Sequence, residues 1–512
     1  MVINPTYVMF GVYLLVMIAI GCIFATKIKS TAEYFLGGRG VGAWVTALSA
    51  QASDMSGWLL MGLPGAVYMA GLGESWVAIG LAVGTILNWI FIAPRLRIYT
   101  EKTNAVTLST FFENRFREKD GILRTLSAIV ILGFFTIYAG SGLVACGKLF
   151  NVMFGLKYEY AVLIGMAVVL IYTILGGYLA VCWTDLIQGA LMFCAIIVVP
   201  IVAFSYVIDL IDPVFGCNEN GQFFYYYVKC KMSLTDAFGE NSLSLIPAGK
   251  TGMVALFAII SSAVWGLGYC GQPHILTRFM SIKSAKLLPR STIIATIWVV
   301  ISLAAAVVIG FLAKPIFPGL DKNASEEVFI KLIGFLCNPW IGGVLLAAIL
   351  AAIMSTIDSQ LLVSSSALTE DFYKKFLHKE ASVKELVWIS RGCVLLITVL
   401  ATALALAPND TIFGIVKFAW GGFGAAFGPV VIMSLYSRKT SSTSAIAGML
   451  AGAIVMLVWY FTGLNAYMYE ILPGFVAGLV TMIIVNQIAP QKDPEILAEY
   501  DEMKKELKAP QE

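Results

Sequence analysis

The run Ser53-Asp54-Met55-Ser56-Gly57 places a carboxylate, two hydroxyls and a glycine inside an otherwise apolar stretch. A charged side chain at membrane depth costs about 2.5–3.5 kcal/mol on insertion scales, which makes Asp54 a candidate functional group. The alternative is a carboxylate held by its own neighbouring backbone. A second apolar stretch, Ser261 to His274, is interrupted by Gly266, Gly268, Gly271 and Pro273. Each interior glycine costs a helix about 1 kcal/mol and an interior proline about 3. Unwound backbone survives at membrane depth only where protein buries it or where it lines a cavity, although glycines also serve close helix packing. A third polar patch, Ala352, Ser355, Thr356 and Ser359, is spaced by threes and fours and shares one helix face. Such a face is a packing seam, or, opposite an unwound helix, part of a cation site. Hard cations take oxygen ligands. Broken-helix carbonyls with two hydroxyls supply about five of them without formal charge, which suits an ion that must bind and then leave. Asp185 stands at the start of another apolar run and reads either as a helix N-cap or as part of an ion exit route.

The elements that must position these groups are membrane helices. Of 512 residues, 59% are hydrophobic and 13% charged, with mean hydropathy +0.85, far from the roughly 25% charge of soluble domains. Hydropathy predicts an all-α polytopic protein of about thirteen spans: 7–26, 41–70, 75–99, 123–150, 159–178, 184–209, 251–275, 291–313, 335–366, 386–406, 411–436, 441–462 and 469–488. The interruptions fall in the second and seventh spans, five apart. Because five is odd, units 41–209 and 251–436 would lie in opposite membrane orientation, the inverted-repeat plan of many secondary transporters. The transmembrane domain covers 1–490, and the charged tail 491–512 reads as a short solvated helix at the inner face.

Most of the 34 Lys and Arg fall in alternate connecting segments, Lys27–Arg39, Arg95–Arg124, Arg278–Arg290, Lys374–Arg391 and Arg438–Lys439, and in the tail. The positive-inside rule then puts the N-terminus outside and the C-terminus in the cytoplasm. Met1 to Thr6 carry no basic residue, so a removed signal peptide is not expected. The nine cysteines show no CxxC spacing; only Cys217 and Cys230 share an outer loop, as a disulfide or as two thiols. Two histidines and no nucleophile–base pair leave a membrane enzyme without a catalytic cluster. Basic residues confined to short loops give no support to nucleic-acid binding.

The motifs Tyr34-Phe35-Leu36-Gly37-Gly38-Arg39, Ala47 to Ala66, Phe134 to Tyr138, Gly176 to Ala180, Trp265 to Arg278, Ala351 to Thr356 and Ala419 to Pro429 resemble those of the sodium:solute symporter family. The likeness runs from about residue 7 to 488. It implies a LeuT-type fold in a bacterial plasma membrane, with inward sodium flux coupled by alternating access to uptake of L-proline. The alternative cargo is another small solute: an amino acid, a compatible solute or a carboxylate. By this resemblance sodium is held by the backbone oxygens of Ala52, Met55 and Ala352 and the hydroxyls of Ser355 and Thr356, with Asp54 sodium-linked. Proline is held by Ser56, Gly57, Tyr138, Trp265 and Tyr269. Asp185, Asp358 and Ser359 resemble a second sodium site of some relatives, leaving a 2:1 stoichiometry open beside 1:1. Gln51 stands where the resemblance leads one to expect glycine, and the outer loop from Asp212 to Lys250 is longer than expected. The implied partners are the solute and membrane lipids, with no organic cofactor, no nucleic acid and no obligate protein partner.

Overall fold

The computed structural model describes residues 5–25, 30–174, 177–211, 215–217, 223–225, 238 and 242–508. Among them, eleven helices are long and apolar enough to cross a membrane, from Pro5–Phe24 to Ile471–Ile488, and Tyr158–Ile171 is a shorter apolar helix. The predicted count of thirteen is not fixed by helix length. It is reached only by counting Trp58–Lys102 as two crossings and Tyr158–Ile171 as one. The described residues include one small sheet, an antiparallel pair of Phe215–Cys217 with Phe223–Tyr225. Cys230 lies outside the described residues, and with it the question of a Cys217–Cys230 disulfide.

Helix starts follow ordinary capping chemistry. Pro273, Pro289 and Pro339 sit in first turns, where their missing N–H costs nothing. Asn338, Ser382 and Thr411 accept N–H bonds from the turns they precede. Lipid-facing positions stay apolar: Leu15, Ile129 and Ile201 are exposed on the outer helices. The middle of the bundle is the reverse. Pro339–Leu377 and Ile412–Tyr436 are 83% buried over their apolar windows, against 22% for Pro5–Phe24. The polar face of Pro339–Ser366 is therefore wrapped in protein on all sides.

Both predicted interruptions are present. Ala43–Asp54 stops at Met55 (φ −86°, ψ 75°), and a π-helical stretch, Trp58–Gly62, leads into Leu63–Ala70. Gly252–Ala263 passes into a 3-10 stretch, Val264–Gly271, then an extended Gln272 and the helix Pro273–Ser281. Contacts between the two broken helices run in opposite chain directions, Ser49 meeting Arg278 and Asp54 meeting Tyr269. Val41, before the first, pairs with Ile282, after the second, through Val41 N–H to Ser281 C=O (3.2 Å) and Lys283 N–H to Val41 C=O (2.9 Å).

Three expectations are corrected here. Asp185 is no N-cap: its helix, Tyr178–Ile211, begins two turns earlier, and the carboxylate is fully buried. Arg97, Arg115 and Arg278 are not solvated loop charges but are at most 2% exposed. Nor is the tail helix, Pro494–Lys508, simply solvated. Ile496, Tyr500 and Met503, on one face, are buried against the inner side of the bundle. The Tyr500 ring lies 6.5 Å from Tyr99 and under the Arg115 guanidinium at 5.5 Å. Around this face Arg117 pairs with Glu495 and Glu499, Lys102 with Glu506 (3.1 Å) and Arg438 with Asp501 (3.0 Å). Exposed ion pairs contribute about 0–1 kcal/mol each, whereas truncating a buried large side chain costs about 2–5. Tyr500→Ala with Met503→Ala is therefore expected to free the helix, seen as rapid proteolysis after Lys504 and Lys505. High salt alone is expected to leave it protected; release by salt would place the docking in the ion pairs.

Candidate sodium and solute site

The helix break and the hydroxyl face meet. Ser355 Oγ donates to the Ala52 carbonyl at 2.8 Å and lies 3.1 Å from the Ala352 carbonyl. Thr356 Oγ1 lies 3.4 Å from Ala52 O and 3.2 Å from Ala352 O. Four oxygens from two helices thus share one buried point, with Ser355 and Ala52 wholly shielded from solvent. Met55 is buried beside them as the residue where the helix stops. None of these four hydrogen bonds reaches its carbonyl. Gln51 contributes its carbonyl to the Met55 N–H (2.9 Å), while its amide Nε2 has no partner among the described residues.

Asp54 is the joint between this cluster and the aromatic residues. Its Oδ2 accepts from the Tyr269 hydroxyl at 2.7 Å, and Oδ1 has no partner among the described residues. Its backbone carbonyl, released from the helix ladder by the break, accepts from the Ser56 N–H (3.0 Å), Trp58 Nε1 (3.2 Å) and Tyr138 OH (3.5 Å). Ser56 opens the second half-helix, with its Oγ accepting from the Trp58 N–H at 3.3 Å. Trp265 lies 6.3 Å from the Trp58 ring and stacks on Phe413 at 5.1 Å. The 3-10 stretch is pinned from outside: Trp420 Nε1 donates to the Trp265 carbonyl (2.8 Å) and Asn88 Nδ2 to the Tyr269 carbonyl (3.2 Å). Gly268 is glycine because a Cβ there would run into the Trp420 indole. Phe413 also lines a recess of about 210 Å³ shared with Gly62, Glu74, Glu326 and Thr411.

A neutral oxygen cluster thus stands beside a buried carboxylate and a group of aromatic rings. The sequence profile of the sodium:solute symporter family matches residues 34–452. The chain belongs to the sodium:solute symporter family.

Symporter relatives match over nearly the whole length. The sodium/proline symporter of Salmonella typhimurium is 46% identical over 490 residues, 94% of this chain and 93% of that protein. The high-affinity proline transporter of Bacillus subtilis is 44% identical over 473 residues, 92% of this chain and 95% of the relative. Among solved structures, a substrate-bound, outward-open Na+-coupled sialic acid symporter superposes with a TM-score of 0.74 at 18% identity, covering 96% of this chain and 98% of that one. The fold is the LeuT-type fold.

In this symporter the expected second constellation is only partly assembled. Asp185 Oδ2 accepts from Ser49 Oγ (2.6 Å) and from Arg278 Nη2 (3.1 Å), and the same nitrogen donates to Ser359 Oγ (2.5 Å). Asp185 and Ser359 are therefore joined through a guanidinium. Asp358 stands apart, with Oδ1 3.4 Å from Ser359 Oγ and Oδ2 without a partner among the described residues. Sequence reasoning missed Trp58, Asn88, Trp420 and Arg278. For Arg278 a signal existed: a basic residue five positions after Pro273, on a helix continuing the broken span.

Gly57 owes its identity to space. A Cβ there would lie 2.8 Å from Ala145 Cβ and 3.3 Å from Ile353 Cγ1, on two central helices. Overpacking of this kind costs about 1–3 kcal/mol. Gly57→Ala is expected to fold, with a lowered melting temperature and weakened solute and sodium affinity together, because the displaced Ile353 neighbours Ala352. Wild-type affinities for both in uptake assays would show that the break absorbs the methyl group elsewhere.

Proposed function

We propose that this symporter couples inward sodium flux to uptake of L-proline by alternating access, in a bacterial plasma membrane with its N-terminus outside and C-terminus cytoplasmic. The observation that carries the reading is the convergence of the Ala52 and Ala352 carbonyls with the Ser355 and Thr356 hydroxyls beside Asp54. Sodium binds there, with Met55 O as a fifth ligand once the break adjusts. Ser56, Gly57, Tyr138, Trp265 and Tyr269 hold the solute. The second half-helix starts at Ser56, where the positive end of the helix dipole favours a carboxylate. Aromatic faces favour a secondary ammonium. Residues 41–209 and 251–436 form the two inverted units that rock about this point. Relatives 42–46% identical are named sodium/proline symporters or proline transporters, which supports proline as the cargo. The Arg278 guanidinium between Asp185 and Ser359 supports one sodium per turnover.

The test is [14C]proline uptake into liposomes containing the purified protein. An inward sodium gradient is expected to drive accumulation, and potassium in its place is expected to leave only equilibration at background rate. Accumulation indifferent to sodium would remove the coupling claim. Accumulation of another solute in strong preference to proline would remove the cargo.

A further inference from the structure

The His274 imidazole is wholly buried, and neither Nδ1 nor Nε2 has a hydrogen-bond partner among the described residues. Its ring packs edge-on against Phe135 (5.4 Å between centroids) and perpendicular to Tyr138 (6.3 Å). Burying a polar group without a hydrogen bond is unfavourable, so the ring's partner is a water or a passing ligand. Two contacts fix its height. Ser49 meets Arg278 and Asp54 meets Tyr269 across the broken helices, so Gln51 stands level with His274 between them. The Gln51 amide Nε2 is also buried without a partner among the described residues. Phe135 is about one turn nearer than Tyr138 to Ile122, the cytoplasmic start of the helix Ile122–Phe154. His274, packed on both rings, therefore lies on the cytoplasmic side of the solute residues.

An imidazole carries at least one N–H in either protonation state, and an amide nitrogen carries two. Such donors repel a sodium ion and suit a carboxylate. His274 also stands in the first turn of the helix Pro273–Ser281, whose N-cap Gln272 provides no side-chain bond, and the positive end of that helix dipole adds to the attraction. We propose that His274 and Gln51 form a release station, which takes the solute's carboxylate as it leaves Ser56 and Gly57 for the cytoplasm. The proposal deepens the symport reading above and rests on it, orientation included. The station is vacated on each turnover, which is why the chain itself leaves these nitrogens unbonded.

The experiment compares the two faces of the full-length protein. Sodium-driven [14C]proline uptake is measured across a proline series in right-side-out and in everted membrane vesicles, which present the outer and the cytoplasmic face. His274→Phe is expected to raise the half-saturating proline concentration about tenfold or more at the cytoplasmic face and less than about twofold at the outer face, tenfold being the least that one hydrogen bond to a charged group carries. His274→Gln keeps a donor and is expected to recover most of the loss. Gln51→Leu is expected to shift the cytoplasmic face alone by a similar factor, and it decides the matter if His274→Phe does not fold. Equal shifts at both faces overturn the proposal. So does a folded variant with wild-type half-saturation at the cytoplasmic face and only a changed melting temperature, which would leave water as the sole occupant. Absence of sodium-driven uptake by wild type in either kind of vesicle would instead overturn the symport reading.

Discussion

Alanine at both Ser355 and Thr356 is expected to raise the sodium concentration for half-maximal proline uptake about 100-fold or more. Both hydroxyls reach the Ala52 and Ala352 carbonyls, at 2.8–3.4 Å, so the oxygens already stand around one point. A hydroxyl has two acceptor lone pairs and a freely turning proton, so sodium at that point takes hydroxyl oxygen and carbonyl oxygen alike. Interactions with a charged group contribute about 1.5–3 kcal/mol each, and about 1.4 kcal/mol is a factor of ten in affinity. Losing two such ligands gives the stated shift. Stability should fall by only about 1–3 kcal/mol, from the buried Ala52 carbonyl losing its cross-helix donors, because alanine is the best helix former and the bonds lost to Ala352 are local back-bonds on the same helix. Solute affinity at saturating sodium should also be close to wild type. Proteoliposome uptake across a sodium series, with a melting curve for each variant, checks both parts. An unchanged sodium requirement would place the ion elsewhere.

How much of this was legible in the chain differs residue by residue. The two broken helices could be read because serine, glycine and proline are locally incompatible with a continuous apolar helix, and locality is what a sequence displays. The face of Ser355 and Thr356 could be read because helix periodicity brings neighbours three and four apart together. Arg278 could be placed on a helix continuing the broken span, but its partners could not be read. A basic residue after an apolar run looks like a loop charge under the positive-inside rule, and nothing nearby announces Asp185, Ser49 and Ser359, which come from three other helices. Asp185 was misread for the complementary reason: a carboxylate at the apparent start of a span looks like a cap until the helix is seen to begin at Tyr178. Trp58 hides differently. Its indole N–H turns back to the carbonyl of Asp54 because the break takes that carbonyl out of the helix ladder and shares it with the Ser56 N–H. The docked face of the tail, Ile496, Tyr500 and Met503, is three residues among many charges, too sparse a stripe to distinguish from a solvated helix.

Asp54→Asn is expected to raise the sodium requirement about 10–100-fold while leaving the hydrogen bond from Tyr269 in place, since asparagine keeps a carbonyl oxygen. The charge and the contact can thus be removed separately. Tyr269→Phe does the reverse: it keeps the charge and deletes the 2.7 Å bond to Oδ2, leaving a buried carboxylate without a partner among the described residues. Asp54 lies two residues from the Ala52 carbonyl that would bind sodium, and Tyr269 lies on the 3-10 stretch beside the solute residues. If this bond links the two ligands, its loss weakens solute binding in the presence of sodium more than in its absence. By linkage the same factor must appear in sodium binding with and without solute. In a double-mutant cycle, Tyr269→Phe should cost about 1–3 kcal/mol less in the Asp54→Asn background than in wild type. Strict additivity would show that Tyr269 serves the solute alone and that coupling passes through the Asp54 carbonyl, where Trp58 and Tyr138 meet the break.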